Sequence, residues 1–187
     1  MATTRICVGR IKGHVVQFHP SANLKPTSQQ VRLAVFSMIK EEIKTSASIL
    51  DLYAGTGILG IEALSLGCAN ADFVEINRKT ARQLNSILKS FNLDSNTQVY
   101  PMSTESFLSL KNRSYDIIFI DPPYKTNPWP NLFSKILSTK ILKENGIIVA
   151  EHYKKQLLPS VQPQLRKLNF KQYGDTSISI LKKIGNN

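Results

Sequence analysis

The sequence predicts an α/β protein with a seven-stranded, mostly parallel sheet that ends in an antiparallel C-terminal hairpin. Apolar runs of strand length alternate with helical segments, as they do in βαβ units, and a glycine-rich turn follows the first of these runs. Two further β-prone runs, 169–173 and 177–182, flank Gly174-Asp175 and predict the closing antiparallel pair. The predicted parallel strands are 49–53, 71–76, 97–101, 115–120 and 147–151.

The chain before the first parallel strand predicts a hairpin and then a helix. Residues 5–18 hold two short β-prone runs around Gly9–Gly13, so we expect a small β-hairpin with a cationic tip. We take residues 1–24 as this basic extension and residues 25–187 as the main domain. Thr27 or Ser28 is the candidate N-cap of the helix that follows.

Helical periodicity and turn residues place the remaining elements. The predicted helices are 58–66, 78–91, 106–110, 129–137 and 161–167. A turn is predicted at 143–146, where the sequence is Lys-Glu-Asn-Gly. At 187 residues the chain is long enough for one well-formed core.

Positive charge is concentrated at the two ends of the chain. Residues 1–40 carry six basic residues and no acid, and residues 152–187 carry seven basic residues and one acid, whereas residues 41–151 carry 11 basic and 12 acidic residues. This distribution indicates a polyanionic partner, most simply a nucleic acid. A generally basic protein is the alternative, but it would not spare the middle of the chain.

Cysteine usage and hydropathy indicate the cellular compartment in which the protein works. Cys7 and Cys68 form no disulfide framework and no metal-ligand cluster, so we treat both as small apolar residues and expect no metal. The N-terminus lacks an apolar signal segment and no run of 18 apolar residues occurs. We therefore expect a soluble, cytoplasmic protein in a reducing environment, with no membrane partner.

The turn after the first parallel strand is a candidate nucleoside site. Gly55, Gly57 and Gly60 fit the G-x-G-x-x-G pattern, and Glu75 follows at the end of the next strand, where an acid binds ribose hydroxyls. A dinucleotide is disfavoured, because Asp51 would face its pyrophosphate. The chain also leaves no room for a separate substrate domain. The pattern favours S-adenosylmethionine, which has a ribose, a cationic amino acid end and no phosphate.

The strongest single motif is Asp121-Pro122-Pro123-Tyr124, which directly follows the apolar strand 115–120. Prolines cannot continue a ladder, so the chain leaves the sheet there. Ligands of open α/β sheets bind beyond the carboxyl ends of the strands. An acid and an aromatic ring on a rigid turn at this place are therefore candidate catalytic residues.

Together these motifs resemble a class I S-adenosylmethionine-dependent methyltransferase with a Rossmann-like fold that acts on an exocyclic amine. The segments 5–13, 25–27, 31–36, 60–65, 151–154 and 173–176 further resemble the bacterial RsmD family. That family methylates the exocyclic N2 of a guanine in 16S ribosomal RNA. The resemblance covers nearly the whole chain. It implies 16S ribosomal RNA as the partner. We expect a monomer that acts on a small ribosomal subunit or an assembly intermediate, although the sequence alone leaves naked RNA open as the substrate.

The resemblance and the loop chemistry define three sets of candidate residues. The catalytic candidates are Asp121, Pro122, Pro123 and Tyr124. The cofactor-binding candidates are Asp51, Tyr53, Ala54, Gly55, Thr56, Gly57, Glu75, Ile76, Met102, Ser103 and Asp121. The RNA-binding candidates are Arg5, Arg10, Lys12, Lys25, Thr27 and Arg32.

The chain departs from the family pattern at Lys25, usually Arg, at Leu33, usually Glu, and at Ser103, usually an acid that meets the adenine amine. Two other functions fit part of the pattern. A DNA adenine-N6 methyltransferase uses the same four-residue motif but normally needs a target-recognition domain. A non-catalytic RNA-binding assembly factor would have no need of the intact cofactor loop and Asp121.

Overall fold

The computed structural model describes residues 1–20, 26–110, 113–123, 126–159 and 163–185, and within them the chain forms nine strands and five α-helices. The strands are β1 Ala2–Arg5, β2 Val15–Phe18, β3 Ser48–Leu52, β4 Asn70–Val74, β5 Thr97–Tyr100, β6 Tyr115–Ile120, β7 Leu142–Tyr153, β8 Leu165–Tyr173 and β9 Thr176–Lys183. The helices are α1 Gln29–Met38, α2 Ile58–Ser65, α3 Arg78–Ser90, α4 Thr104–Leu108 and α5 Trp129–Ser138.

Seven strands form one sheet in the order β5-β4-β3-β6-β7-β9-β8. The pairs from β5 through β7 are parallel, and β9 runs antiparallel to both β7 and β8. The predicted fold class, including the C-terminal antiparallel pair, is confirmed. The order reverses between β3 and β6, which makes their carboxyl ends the topological switch point.

Helices cover both faces of the sheet. On one face α1, α2 and α3 pack against the strands, and all eight residues of α2 are buried. On the other face α4 and α5 supply a second apolar layer around Trp129 and Phe133. Residues of β3 and β6 alternate between the two layers, which explains why both strands are apolar throughout. No helix among the described residues is both long and apolar enough to span a bilayer.

The N-terminal hairpin is present and shares the main core. β1 and β2 pair antiparallel, and Ile6 and Val16 belong to the same apolar cluster as the helices. The loop between the strands lies on α2, where Arg10 N donates to Ser65 O at 2.8 Å. Gly9 has a φ of +78°, and a Cβ there would lie 2.2 Å from the Ser65 backbone, so only glycine permits this contact. The described hairpin residues therefore have no core of their own.

Two predicted elements differ in the structure. The helix predicted at 161–167 is wrong over its described C-terminal part, because Leu165–Lys167 begin β8, where Arg166 pairs with Lys182 of β9. Pairing with β9 overrides the local helical pattern. The turn predicted at 143–146 lies inside β7 as a bulge, and Asn145 there has a φ of 61°.

Candidate active site

The glycine turn follows β3 and the acid–proline motif follows β6, and these two strands are neighbours. Leu52 pairs with Ile120 in parallel register, so the chain leaves both strands at the same edge of the sheet. The edge lies at the switch point, where the connections lead away to opposite sides and open a crevice. The two strongest sequence motifs are thereby brought together, as their positions after parallel strands predict.

The backbone of the glycine turn is unusual and tightly packed. Tyr53, Gly55 and Gly57 have φ values of 62°, 54° and 71°. For a bulky residue such as Tyr53 this conformation is strained, and such strain clusters at functional sites. A Cβ on Gly57 would lie 2.4 Å from Leu84 Cδ1. The loop thus holds Ala54 and Thr56 in one conformation ahead of α2, where the first backbone N–H groups of the helix are available to a ligand.

Glu75 ties this turn to the end of β4. Its Oε2 accepts a hydrogen bond from Gly55 N at 3.0 Å, and its Oε1 accepts one from Asn77 N at 2.7 Å. A carboxylate has about four acceptor positions, so two remain for a pair of hydroxyl groups. The adjacent Ile76 is 70% exposed, which is high for a large aliphatic side chain beside a buried strand. An acid for a ribose and an apolar surface for a base therefore lie side by side.

Met102 and Ser103 follow β5, the strand next to β4, so they lie at the same edge. Ser103 is the N-cap of α4, and its Oγ accepts a hydrogen bond from Ser106 N at 3.2 Å. Ser103 therefore has a structural role at the start of α4, in that it satisfies one of the first backbone N–H groups of the helix. Contact of either residue with an adenine stays a prediction.

Asp51 is a buried acid beneath the glycine turn, 3% exposed. Burial raises its pKa to about 8; the hydrogen bond from Gly60 N opposes the rise, and the charge of Glu75 adds to it. Gly60 N donates to Asp51 Oδ2 at 3.2 Å. A cation bound next to Asp51 would stabilise its ionised form and lower its pKa toward the usual value, so the site favours a cationic ligand.

Asp121 is the second acid at this edge, and it is partly exposed. Burial, the charge of Glu151 and the charge of Asp51 raise its pKa well above the usual range, while a hydrogen bond from Thr27 lowers it. Thr27 Oγ1 donates to Asp121 Oδ2 at 3.3 Å. When ionised, the three acids create a negative potential at the switch point, and a cationic ligand bound there would favour this charged form.

The prolines fix the chain beyond Asp121. Pro122 is buried and Pro123 is exposed. The Pro123 carbonyl accepts hydrogen bonds from Thr126 N at 2.9 Å and from Thr126 Oγ1 at 2.8 Å, which closes the turn. Tyr124, the fourth residue of the predicted motif, lies outside the described residues.

Arg32 is not an RNA-facing residue, which corrects the sequence prediction. Its side chain is 1% exposed and its Nε lies 3.1 Å from Glu62 Oε1. Its Nη2 donates to Arg5 O at 2.6 Å and to Cys7 Sγ at 3.0 Å, and its Nη1 donates to Thr27 O. The guanidinium thus joins the hairpin, α1 and α2 to the residue that holds Asp121.

Thr27 is likewise a buried residue, 6% exposed, and not a surface contact for RNA as predicted. The sequence carries one signal of this buried network. Glu62 is the only acid in the otherwise apolar sequence of α2, and an acid in a fully buried helix requires a partner. The partner, Arg32, could not be identified without the packing of α1 on α2.

Two other predicted RNA-binding residues, Arg10 and Lys12, lie away from Asp121. The hairpin tip contacts Ser65 at the end of α2, and Ala69 N donates to Ala47 O just before β3 begins. The end of α2 therefore lies at the amino-terminal edge of the sheet, about 12 Å of helix away from the glycine turn. Arg10 and Lys12 are exposed at that far edge.

Arg5 is exposed, and its Nη1 donates to Gly13 O within the hairpin at 3.0 Å. Lys25 lies outside the described residues. Two surface clefts, of about 480 and 590 Å³, lie between the hairpin and α3 and at the amino ends of β3–β5, and neither includes Asp51 or Asp121. We place the site at the carboxyl edge because the strained loop and the perturbed acids converge there.

Comparison with known proteins agrees with this geometry. Residues 4–182 match the family described as Conserved hypothetical protein 95. "Ribosomal RNA small subunit methyltransferase D" of Buchnera aphidicola is 37% identical over 152 residues, which cover 81% of this chain and 78% of the relative. "Putative rRNA methyltransferase YlbH" of Bacillus subtilis is 34% identical over 184 residues, covering 97% of this chain and 100% of the relative.

A solved Escherichia coli structure, described as "Putative methyltransferase yhhF", has the same fold with a TM-score of 0.90. It is 26% identical and the match covers 99% of this chain and 100% of the other. The family match spans nearly the whole sequence, and the site residues lie within it. The chain therefore belongs to the Conserved hypothetical protein 95 family, the RsmD-type S-adenosylmethionine-dependent methyltransferases.

Proposed function

We propose that the protein transfers a methyl group from S-adenosylmethionine to the exocyclic N2 of a guanine in 16S ribosomal RNA. The observation that carries this proposal is the placement of Asp121 and the two prolines beside the glycine turn, at one switch point. The relatives named as ribosomal RNA methyltransferases support RNA as the substrate class. We further propose that it works as a monomer in the cytoplasm, on a small subunit or an assembly intermediate.

The residues at the edge fit the proposed cofactor. Asp51 and the negative potential around it suit a cationic amino acid end, and Glu75 has acceptor positions left for the ribose. The exposed side chain of Ile76 offers an apolar face to the adenine, near Met102 and Ser103. When bound, the cofactor supplies a methyl group on a positively charged sulfur, which is a strong electrophile.

The role of Asp121 and Pro122 is to prepare the amine. The lone pair of an exocyclic amine is delocalised into the base, so the nitrogen is a weak nucleophile. The Asp121 carboxylate and the Pro122 carbonyl accept hydrogen bonds from the two N–H groups of the amine. These bonds orient the nitrogen and concentrate electron density on it. With the cofactor bound, the nitrogen would take the methyl group, the sulfur would keep the electrons of its former bond to carbon, and the nitrogen would become positive. The carboxylate stabilises that charge, and the proton leaves to Asp121 or to water.

Tyr124 is assigned from the resemblance to stack on the target base once it leaves its loop. The negative cluster also bears on this step. With a cation bound, the pKa of Asp121 should fall, so that the acid is ionised when the amine arrives. Cofactor binding and amine activation are thereby linked through the same group of acids.

The experiment uses a labelled methyl group on the cofactor and three acceptors: small ribosomal subunits, naked 16S ribosomal RNA and duplex DNA. The proposal expects label in RNA and none in DNA, with N2-methylguanosine as the labelled nucleoside. Label in N6-methyladenine of DNA would support the adenine-N6 alternative. No transfer to any acceptor, with RNA still bound, would support the assembly factor.

A further inference from the structure

The outermost strand, β8, is exposed along almost its whole length. Residues 166–172 are all solvent-exposed, although they form a regular strand paired with β9. Leu168 and Phe170 are 41% and 48% exposed. Its other edge pairs with no strand in the described part of the chain. A nine-residue strand that presents apolar and cationic side chains to solvent therefore borders the sheet.

The positive charge of this strand is not neutralised. Between residues 152 and 185 Asp175 is the only acid, and it pairs with Lys154 at 2.8 Å. Lys183 of β9 pairs with Glu144 at 2.6 Å. By contrast, Arg166, Lys167 and Lys171 form no ion pair with any described residue. The pairing with β9 places Lys167 on one face of the sheet and Arg166 and Lys171 on the other, so the three cations border the edge strand on both sides. This cationic edge is complementary to a chain of phosphates.

An aromatic ring lies beside one of these cations. Lys167 Nζ is 5.8 Å from the centre of the Phe170 ring. The ring is supported from behind, because its centre lies 6.4 Å from that of His152, which in turn lies 6.0 Å from Trp129. A supported, half-exposed ring with a lysine beside it is a combination on which unpaired bases stack.

The strand lies on the substrate side of the site. Glu75 and the glycine turn place the cofactor over β3 and β4, so a substrate must approach Asp121 from β7, β9 and β8. β8 runs in the same direction as β6, because two antiparallel steps separate it from β7. Its carboxyl end at Tyr173 thus reaches the edge that holds Asp121. The distance from β6 is three strand spacings, roughly 14 Å.

We propose that β8 is a docking surface for the RNA substrate. Lys171, in register with Glu151 of β7 through β9, contacts a phosphate near the target, and Phe170 stacks on an unpaired base there. Arg166 and Lys167 lie roughly 10–13 Å back along the strand and contact phosphates further from the target. The inference rests on the proposed function, since it assumes an RNA substrate. It relocates the principal RNA contacts near the active site from the hairpin, whose tip lies at the far edge, to the C-terminal strands.

One other role is consistent with lysines on an edge strand. Charged edge residues prevent the unpaired strand from pairing with another copy of the protein. That role predicts self-association when the charges are removed, and no change in RNA affinity per monomer. It also gives no reason for an exposed phenylalanine, which would promote edge-to-edge pairing.

The test uses the full chain and two triple variants with the same change in charge. The first is Arg166→Gln/Lys167→Gln/Lys171→Gln on β8, and its matched control is Lys79→Gln/Arg82→Gln/Lys89→Gln on the exposed side of α3. Affinity for 16S ribosomal RNA is measured across a salt series, together with kcat and KM for methyl transfer. Size-exclusion chromatography records the oligomeric state.

We expect the β8 variant to bind RNA at least about 10-fold more weakly, and its salt slope to fall by about 2 to 3. The α3 control should bind nearly as the wild type does. A Phe170→Leu variant keeps the apolar surface and removes the stacking ring, so KM should rise roughly 5-fold or more. In all variants kcat at saturating RNA should stay close to that of the wild type.

Equal affinities of the β8 and α3 variants would overturn the docking surface, and so would self-association with unchanged RNA affinity. If the wild-type protein methylates RNA and the β8 variants match it in RNA affinity and KM, only the docking surface is refuted. A wild-type protein that neither binds nor methylates ribosomal RNA refutes the proposed function as well.

Discussion

Asp51 shows how the site couples function to stability. Its pKa is raised to about 8, chiefly by burial, so the folded protein binds a proton that the unfolded chain has released above about pH 4. The sign follows from linkage: the free energy of unfolding falls as the pH rises from about 4 to about 8, and stays low above it. The site is therefore stable with a neutral acid and functional with a charged one.

The variant Asp51→Asn tests this directly. Asparagine keeps an acceptor for Gly60 N and cannot ionise, so the cofactor-free variant should melt several degrees higher than the wild type at pH 8. The difference should shrink toward pH 4. Cofactor affinity should fall, because the partner of the ammonium group is lost. The measurement is the Tm of both proteins from pH 4 to pH 8. A wild-type Tm that does not fall as the pH rises would contradict the raised pKa of Asp51.

Thr27 is a positioning residue, because it acts on the substrate only through Asp121. Its hydroxyl donates to Asp121 Oδ2, and this bond opposes the rise in pKa caused by burial and by the charges of Glu151 and Asp51. In a Thr27→Val variant the pKa of Asp121 should rise further, so less of the acid is ionised near neutral pH.

We expect the acid limb of the kcat/KM profile of Thr27→Val to move to higher pH, with a loss of roughly 2- to 10-fold on that limb. Thr27→Ser retains the hydroxyl and should follow the wild-type profile. A uniform loss of rate at every pH, in both variants, would indicate a packing role for Thr27 instead.

At the scale of elements, α1, α2 and the hairpin are joined by one buried ion pair. Arg32 and Glu62 are 1% and 0% exposed, and Glu62 Oε1 also accepts a hydrogen bond from Cys7 N at 2.7 Å. Breaking a buried pair by removing one partner is costly, because it leaves the other charge without compensation. The arrangement makes the hairpin part of the structure that positions Thr27.

For Arg32→Met we expect the free energy of unfolding to fall by about 3–5 kcal/mol. The double variant Arg32→Met/Glu62→Gln removes the orphaned charge and keeps an acceptor for Cys7 N, so it should recover more than half of the loss. Urea unfolding of the two variants and of Glu62→Gln gives the comparison. Strictly additive effects of the single changes would show that the pair does not act as a unit.

The same elements show what the sequence could and could not predict. β3, β4 and β6 were predicted because both faces of these strands are covered, which makes them continuously apolar. β8 was not predicted over Leu165–Lys167 because, of these three residues, only Leu165 packs against the apolar core, so the run carries no period-2 apolar pattern. Arg32 was predicted to contact RNA because of its charge and its place near a helix start, where anions are favoured. Its burial depends on Glu62, 30 residues away, which only the packing of α1 on α2 brings within reach.

At the scale of the whole molecule, the candidate cofactor site, the candidate catalytic residues and the cationic edge strand lie on different strands of one sheet. The glycine turn and Glu75 occupy β3 and β4, the acid–proline motif lies at the centre, and the cations of β8 lie on the far side. The hairpin cations lie at the opposite edge, behind α2. The uneven charge along the sequence predicted a polyanion, but not which of the two cationic ends lies near the catalytic edge.

The central claim is that Asp121, held at the switch point, activates an exocyclic amine of ribosomal RNA. The most direct measurement is nucleoside mass spectrometry of small-subunit RNA treated with labelled cofactor and either wild-type protein or Asp121→Ala, at equal cofactor occupancy. We predict N2-methylguanosine with the wild type, and a yield at least about 100-fold lower with the variant. A different methylated nucleoside, or a comparable yield from Asp121→Ala, would contradict the account.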